Sequence, residues 1–249
     1  MKIFIDGYGV VAHSIVRKLV ENHGFPANKI FVNTYSNVEN MGFVNYLNDI
    51  GIKNTNENYE SIYDDFVNFS PDFFFSLYGR RIIPESILSK VGKRAINLHP
   101  SLLPSYKGCF SCPWVIINRE KKTGITFHEI VKNIDAGDIF FQKEIELKGD
   151  ETSFSLYHKL GAEFIRNFDS FFCDLLTSRI KPIKMPTGGN YYPRKVPFEG
   201  FIDTNWSDTR VDSFIKGMFF PPFKGAVLKI RDKEYEVESL RHYKELLKR

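Results

Sequence analysis

Residues 96–104 read INLHPSLLP and place an amide and an imidazole two positions apart at the end of an apolar run. Side chains at positions i and i+2 of a strand share a face, so Asn97 and His99 can both point at one reacting atom. Further along the chain, Asp135 lies in the sequence Asp-Ala-Gly-Asp and can orient the imidazole. A hydrogen-bond donor, a base and an orienting carboxylate are the groups that acyl transfer to an amine requires.

Each of these residues also has a purely structural explanation. An Asn at a strand end often bonds to the backbone, and an Asp beside Ala-Gly can simply initiate a turn. The three residues nevertheless lie on adjoining predicted elements, at the edge of the sheet where a ligand is expected. Their combination therefore favours a functional site.

The elements that position these residues alternate between strand and helix. Apolar runs predict strands at residues 2–6, 29–33, 72–77 and 94–98, and amphipathic periodicity predicts helices at 10–22, 40–49, 61–69 and 84–91. This order predicts an α/β, Rossmann-like domain with a mostly parallel sheet, whose ligands bind beyond the carboxyl ends of the strands. Asn97 and His99 lie at such an end.

Two further strands are predicted at residues 124–130 and 139–145, with Asp135 in the turn between them, and a long helix at 152–176. Proline and glycine accumulate after residue 182, which predicts a domain boundary there. We therefore expect a catalytic domain at 1–182 and a small extension at 183–249. The extension is predicted to contain a helix at 209–218 and a β-hairpin at 226–238.

The composition excludes several classes of protein. The net charge of +4 is small and its cations are dispersed among acids, which does not indicate nucleic-acid binding. No apolar stretch approaches the roughly 20 residues of a membrane span. The amino-terminal apolar run is broken by Asp6 and the chain has three cysteines, so we expect a cytoplasmic protein.

Two other motifs have weaker chemical interpretations. Gly7-Tyr8-Gly9 follows a strand, as in a dinucleotide fingerprint, but no acidic residue follows the second strand to bind a ribose. Cys109 and Cys112 form a Cys-x-x-Cys without the two further ligands that a structural zinc site needs. We expect no metal, and a tight turn at Gly7-Tyr8-Gly9 rather than a nicotinamide site.

The sequence resembles the formyltransferases that use 10-formyltetrahydrofolate. The matching segments are residues 96–108, INLHPSLLPSYKG, and residues 123–147, TGITFHEIVKNIDAGDIFFQKEIEL. The resemblance implies that Asn97, His99 and Asp135 are the catalytic residues and that 10-formyltetrahydrofolate is the co-substrate. It also implies that the segment after the third predicted strand lines the folate pocket, through Tyr78, Gly79, Arg80, Arg81 and Ile83.

The tail at residues 193–230 resembles the extension of the sugar N-formyltransferases, which dimerise through a hairpin. A nucleotide-linked sugar requires aromatic surfaces and cations. The residues that we expect to contact it are Gly9, Lys107, Tyr192, Arg194, Trp206, Phe220 and Lys224. The best single guess for the substrate is a dTDP-linked 4-amino-4,6-dideoxyglucose, formylated for O-antigen or lipopolysaccharide biosynthesis by a homodimer.

Other functions remain open from the sequence. The same motifs occur in phosphoribosylglycinamide and methionyl-tRNA formyltransferases, although the length of the tail suits neither group well. A non-catalytic sugar-nucleotide binding module and a dinucleotide-dependent enzyme belong to different classes. Product formation tests the first of these, and cofactor binding tests the second.

Overall fold

Strands and helices alternate through most of the chain in the computed structural model, which describes residues 1–248. The strands are β1 (Ile3–Gly7), β2 (Ile30–Asn33), β3 (Lys53–Thr55), β4 (Phe73–Leu77), β5 (Ala95–His99), β6 (Lys107–Gly108), β7 (Lys122–Glu129), β8 (Ile139–Glu146), β9 (Tyr191–Tyr192), β10 (Ala226–Ile230) and β11 (Lys233–Val237). The α-helices are α1 (Gly9–Glu21), α2 (Met41–Asp49), α3 (Tyr63–Phe69), α4 (Glu85–Val91), α5 (Ser111–Ile117), α6 (Ser153–Leu176), α7 (Asp208–Met218) and α8 (Leu240–Leu246).

The central sheet has seven strands in the order β3-β2-β1-β4-β5-β7-β8. Strands β3, β2, β1, β4 and β5 pair in parallel, and β7 pairs with β5 in the antiparallel direction. The predicted mostly parallel α/β sheet is therefore confirmed. Because β1, β4 and β5 run in one direction, their carboxyl ends meet at one edge of the sheet.

Buried aromatic side chains fix the positions of the central strands. Phe4 on β1 packs edge-on against Phe31 and Phe66, with ring centroids 5.1 and 4.9 Å apart. All three side chains are fully buried, and each contributes about 1.5–3 kcal/mol through the removal of apolar surface from water. This packing holds the strands in the register that aligns their polar ends.

Helix α6 packs against β7, the strand next to β5 in the sheet. Phe171 stacks on Phe127 of β7 with a centroid separation of 4.1 Å, and Phe164 contacts the same ring edge-on at 5.4 Å. Phe127 is itself the register partner of Leu98 on β5. The helix thus secures β7 beside β5.

The chain divides into two compact units that do not follow a single break in the sequence. The first unit contains residues 1–99, 126–142 and 161–186; the second contains 100–125, 143–160 and, within the described chain, 187–248. The predicted boundary after residue 182 lies close to one of these divisions. A functional division into 1–182 and 183–249 stays a prediction, and its last residue, Arg249, lies outside the described residues.

The second unit has its own apolar core, built from α5, α7, α8 and the hairpin β10–β11. Ser207 caps α7 by accepting a hydrogen bond from the Arg210 amide. Gly217 allows α7 to approach α5 closely, because a Cβ atom there would lie 2.5 Å from Ile117. The fully or nearly fully buried residues of this core include Ile117, Ile202, Val211, Phe214, Leu228, Val237 and Leu246.

Most predicted elements are confirmed to within two residues, but β3, α5, α8 and the two-residue strands β6 and β9 were not predicted. Strand β3 is a short polar edge strand, Lys-Asn-Thr, without the apolar alternation that identifies a strand. Helix α5 has the sequence SCPWVII, whose apolar run resembles a buried strand. Its proline lies in the first turn, where a missing amide hydrogen costs nothing.

Candidate active site

Five polar residues lie side by side across the central sheet. In strand order they are Asn33, Asp6, Ser76, Asn97 and His128, each paired in register with the next. We call this set the polar row. Four of its members are buried, whereas Asn97 is half-buried and keeps access to solvent.

The predicted catalytic residues come together at the β5 and β7 end of the polar row. Nδ1 of His99 lies 3.4 Å from Oδ2 of Asp135. The other oxygen of Asp135, Oδ1, lies 3.4 Å from Nε2 of His128, and Nδ2 of Asn97 lies 3.1 Å from the same Nε2. The structure therefore places the three predicted residues in one cluster with a fourth, His128.

The turn that carries Asp135 is fixed against the end of β7. Asp135 has a left-handed backbone conformation, with φ of 51°, which Asp tolerates better than most residues. A Cβ atom at Gly137 would lie 2.1 Å from the carbonyl oxygen of Glu129, so the turn packs directly on the residue after His128. Glu129 also donates its amide hydrogen to the carbonyl of Asp138 at 2.8 Å.

The cluster is shielded from water. The side chains of His99, Asp135 and His128 are 5%, 8% and 2% exposed. Hydrogen bonds and charges act more strongly in such a site than in water, because the effective dielectric constant is lower. A carboxylate that holds an imidazole beside a carboxamide can activate an amine and stabilise a negative oxygen, as acyl transfer requires.

His128 was not singled out from the sequence, although a signal was present. It lies within the apolar strand segment ITFHEI, where a buried histidine needs partners. Strand β7 pairs with β5 in the antiparallel direction, and the register of this pair places His128 opposite Asn97. Register could not be read from one sequence, so the contact was missed.

The predicted folate segment follows β4 and is held by polar and aromatic contacts. Tyr78 has a φ of 58°, and its ring meets Phe164 edge-on at 5.9 Å. Gly79 lies where a Cβ atom would be 3.0 Å from the Ser76 hydroxyl. The exposed Arg80 guanidinium lies over the ring of Tyr8, 3.8 Å from its centroid.

The two remaining predicted folate residues point into the protein. Nη1 of Arg81 lies 3.3 Å from Oδ1 of Asp6, and Ile83 packs against the core beneath α3. Ile82, which is not among the predicted folate residues, is 83% exposed and is the apolar side chain that this segment presents to solvent. Arg81 and Ile83 are thus engaged in holding the segment in place.

Asp6, at the β1 position of the polar row, is a buried carboxylate with two partners. Tyr59 donates a hydrogen bond to Oδ2, and Arg81 faces Oδ1. Burial raises the pKa of Asp6 from 3.8 to about 6, although both partners favour its ionised form. Burial together with Asp6 also raises the pKa of Tyr59 well above 10.0.

A cavity of about 710 Å³ borders the predicted folate segment in the first unit. Its volume is in the range of small-molecule pockets. Arg81, Ile82 and Pro84 contribute one side, and Asn58, Tyr59 and Tyr63 contribute the other. The segment and this cavity could hold a bicyclic ring and part of its tail.

Two of the predicted substrate residues, Tyr192 and Trp206, belong to an aromatic cluster in the second unit. Tyr192 stacks on Trp114 with ring centroids 4.7 Å apart. Trp206 meets Phe198 edge-on at 4.9 Å. Trp114, Phe198 and Trp206 line a cavity of about 520 Å³ together with Lys195, Glu199 and Asp203.

The other predicted substrate residues are mostly engaged elsewhere. The Gly9 amide donates to Oδ1 of Asn40 at 2.9 Å, and Nζ of Lys107 donates to the Gly188 carbonyl at 3.3 Å. Lys224 pairs with Glu234 at 3.0 Å, and Phe220 packs against aromatic rings of α6. Arg194 is exposed. These contacts are the interactions expected of structural residues.

Within residues 1–248, no group of three or more His, Cys, Asp and Glu side chains is placed to bind a metal ion. Burial raises the pKa of the Cys112 thiol to about 12, which leaves it protonated and unreactive. In the same described residues, no helix combines the length and apolar character needed to cross a bilayer.

Known sequences provide the first comparison. A family profile described as Formyl transferase matches residues 9–164, more than half of the chain. GDP-perosamine N-formyltransferase of Brucella melitensis biotype 1 is 38% identical over 251 residues, which cover 99% of this chain and 96% of that protein. Bifunctional polymyxin resistance protein ArnA of Wigglesworthia glossinidia brevipalpis is 36% identical over 165 residues, covering 66% of this chain and 25% of ArnA.

Solved structures share the fold at lower sequence identity. An N-formyltransferase from Helicobacter canadensis, in complex with folinic acid and dTDP-3-aminofucose, has a TM-score of 0.78 at 21% identity, covering 93% of this chain and 85% of that one. A 4-N formyltransferase from Francisella tularensis has a TM-score of 0.75 at 23% identity, covering 95% and 96%.

Proposed function

The chain belongs to the formyl transferase family, and from this premise we propose that it transfers the formyl group of 10-formyltetrahydrofolate to the amine of a nucleotide-linked amino sugar. The observation that carries this proposal is the similarity to GDP-perosamine N-formyltransferase across 99% of the chain. The cluster of Asn97, His99 and Asp135 supports it, because these groups suit acyl transfer to nitrogen.

His99 acts as the base in this proposal. Asp135 is the acceptor that Nδ1 of His99 faces, so Nδ1 carries the ring hydrogen and donates it to the carboxylate. Nε2, on the opposite side of the ring, then has a lone pair with which to accept a proton from the attacking amine. Asp135 stabilises the cationic ring that results.

Asn97 stabilises the oxygen that becomes negative. When the amine nitrogen bonds to the formyl carbon, the carbonyl electron pair moves to oxygen, and an amide hydrogen of Asn97 can bind that oxygen. The electron pair on oxygen then re-forms the carbonyl as the bond between the formyl carbon and N10 of the folate breaks. The bonding pair leaves with N10, which takes up the proton that His99 returns.

We propose that formyl-folate binds along the segment from Tyr78 to Ile83. Ile82 offers exposed apolar surface there, and the exposed Arg80 offers a cation suited to the carboxylates of a folate tail. Arg81 would contribute by anchoring the segment to Asp6. The co-substrate supplies the activated one-carbon group.

The nucleotide of the substrate is best tested first as GDP. Two relatives that are 38% identical over 99% of the chain are GDP-perosamine N-formyltransferases. The dTDP-linked 4-amino-4,6-dideoxyglucose expected from the sequence stays a prediction. An assay with both substrates decides between them.

We propose further that the aromatic cavity of the second unit binds the nucleobase. Trp114, Phe198 and Trp206 offer π surfaces for stacking a base. A carboxylate such as Asp203 can accept hydrogen bonds from the neighbouring N1–H and N2–H₂ groups of guanine. Thymine offers one N–H between two carbonyls, so a carboxylate would favour guanine.

The activity test is an assay of the purified chain with 10-formyltetrahydrofolate and a panel of amines. The panel contains GDP-perosamine, dTDP-4-amino-4,6-dideoxyglucose and glycinamide ribonucleotide, and mass spectrometry detects the addition of one formyl group. We expect product with an amino sugar nucleotide, and its formation should be about 100- to 1000-fold slower in the Asn97→Ala control. Activity on glycinamide ribonucleotide alone would contradict the proposal, and tight sugar-nucleotide binding without any product would indicate a binding module.

The nucleobase site is tested by calorimetry with GDP and dTDP, independently of catalysis. Trp206→Ala should weaken GDP binding about 5- to 150-fold, since the loss of base stacking costs about 1–3 kcal/mol. Phe223→Ala, which removes an exposed ring of the same unit, is the matched control and should leave affinity unchanged. Equal GDP affinities of Trp206→Ala and Phe223→Ala would mean that the nucleobase does not bind in this cavity.

We also propose that the chain forms a homodimer through the hairpin β10–β11. One face of the hairpin packs on the core of the second unit through Ala226, Leu228 and Val237, and Lys229, Glu234 and Glu236 remain exposed on its two strands, where a second copy can pack. Sedimentation at micromolar concentration tests this, and a monomer would contradict it. The cytoplasmic location and the O-antigen pathway stay predictions.

A further inference from the structure

We propose that His128 is a positioning residue, which turns the amino end of the Asn97 carboxamide toward the formyl oxygen. This inference rests on the proposed formyl transfer. It begins with the contacts of His128, which is 2% exposed and is the register partner of Asn97 across β5 and β7.

The hydrogen on the His128 ring is assigned by its backbone contact. Nδ1 lies 2.8 Å from the carbonyl oxygen of Glu129, which can only accept. Nδ1 must therefore carry the hydrogen, and in the neutral ring Nε2 becomes an acceptor. The ring is thus oriented by a peptide group that cannot change its own role.

An accepting Nε2 determines which end of the Asn97 side chain faces it. Nδ2 of Asn97 lies 3.1 Å from Nε2, so the amino group donates one of its two hydrogens to the ring. The second hydrogen remains for the oxygen of the formyl group. If the carboxamide were turned round, its carbonyl would face Nε2, and two acceptors would meet.

Asp135 adds a second acceptor beside Nε2. Its Oδ1 lies 3.4 Å from Nε2, whereas the Glu129 carbonyl lies only 2.8 Å from Nδ1; the closer acceptor holds the ring hydrogen, so Nε2 and the carboxylate oxygen are both acceptors at this corner of the cluster. A donor is required there, and the Asn97 amino group supplies it. The orientation of the Asn97 carboxamide that is stable in the free enzyme is therefore the one that presents its second N–H to the formyl oxygen.

A pair of substitutions separates the two contacts of His128. His128→Gln can place an oxygen near the position of Nε2 and so keep a partner for Asn97. His128→Asn can keep a donor for the Glu129 carbonyl but does not reach Asn97. We expect His128→Asn to lower kcat by about 10- to 100-fold with unchanged KM values, and His128→Gln to retain kcat within about threefold.

A double-mutant cycle distinguishes positioning from general structural damage. In an Asn97→Ala background the amide is absent, so adding His128→Asn should cause little further loss of kcat. The same fractional loss in both backgrounds would overturn the proposal. His158→Ala, an exposed histidine of the second unit, is the control and should leave kcat unchanged in both.

A spectroscopic measurement on the native chain tests the proposal and does not depend on whether a variant folds. Histidine ¹⁵N NMR of the native chain reports which nitrogen of each ring carries the hydrogen. We expect the buried His128 to be the Nδ1–H tautomer, and an Nε2–H tautomer would overturn the assignment. If no amine is formylated at all, the proposed function is wrong. The tautomer measurement would still test whether His128 accepts a hydrogen bond from Asn97.

Discussion

Two buried carboxylates lie at the same edge of the sheet, one in the polar row and one beside it, and they differ in their partners. Asp6 lies between Arg81 and Tyr59, whereas Asp135, beside the other end of the row, lies between His99 and His128. Both carboxylates are buried and both lie near strand ends. Burial and polarity therefore do not distinguish the structural site at Asp6 from the proposed catalytic site at Asp135.

The distinction lies in whether the partners can exchange a proton near neutral pH. Arg81 is a guanidinium that stays charged, and the pKa of Tyr59 is raised well above 10.0. A neutral imidazole has one nitrogen that can accept a proton and later return it. The Asp6 site can hold a loop, while the Asp135 site can carry out acid–base chemistry.

The largest expected effect is the loss of catalysis in Asp135→Ala. Without the carboxylate, the His99 ring loses its orientation and the stabilisation of its cation, and kcat/KM should fall about a thousandfold or more. Thermal unfolding should confirm that the chain remains folded. Near-normal turnover would contradict the proposed role of Asp135 in catalysis.

Asp6→Ala should produce the opposite pattern. Arg81 would be left as a largely buried charge without its carboxylate, which costs about 3 kcal/mol in the free energy of unfolding. The kcat of the folded enzyme should remain within about tenfold of normal. Urea unfolding and steady-state assays on the same sample test this, and a stable but inactive variant would contradict it.

The raised pKa of Asp6 gives a specific pH dependence. Because the folded chain holds this proton more tightly than the unfolded chain, Asp6 stabilises the fold below pH 3.8 and loses that contribution as pH rises toward about 6. Between about pH 4 and about pH 7.5, the native chain should lose up to about 3 kcal/mol relative to Asp6→Asn.

Urea unfolding across this pH range, followed by tryptophan fluorescence, provides the measurement. Asp49→Asn, at an exposed position at the end of α2, is the matched control and should show no such difference. If the free-energy difference between the native chain and Asp6→Asn is independent of pH, the Asp6 proton is not held as the structure indicates.

The smallest effect is expected from the neighbouring Arg80. Its guanidinium lies over Tyr8 at the surface, and such a contact contributes about 0.5–1 kcal/mol. Arg80→Ala should therefore lower stability by less than about 1 kcal/mol and raise the KM for formyl-folate. Arg81→Ala should destabilise the chain more. The reverse order would mean that Arg80 anchors the segment.

The parallel sheet and the three catalytic candidates could be predicted because their signals are local. Apolar strands, helical periodicity and the spacing of Asn97 and His99 are all visible in short segments. Helix α8 also had a local signal, since Ser239 accepts a hydrogen bond from the His242 amide as an N-cap, and this signal was overlooked.

The polar row could not be predicted, because it depends on register between distant strands. Asp6 and Tyr59 are separated by more than fifty residues, and no local pattern links them. The same limit applies to His128, whose role follows from its position opposite Asn97. Arg81 resembled a ligand contact in sequence, and its structural partner became apparent through the fold.

Gly137 gives the Asp135 turn an unusual mutational profile. Since even a methyl group would overlap the Glu129 carbonyl, a saturation library at this codon should yield almost no functional alternatives, although the residue carries no reactive group. A designer who wished to transplant the acid onto another hairpin would have to carry this glycine with it. Geometry, as much as chemistry, would limit how far the loop could drift during evolution.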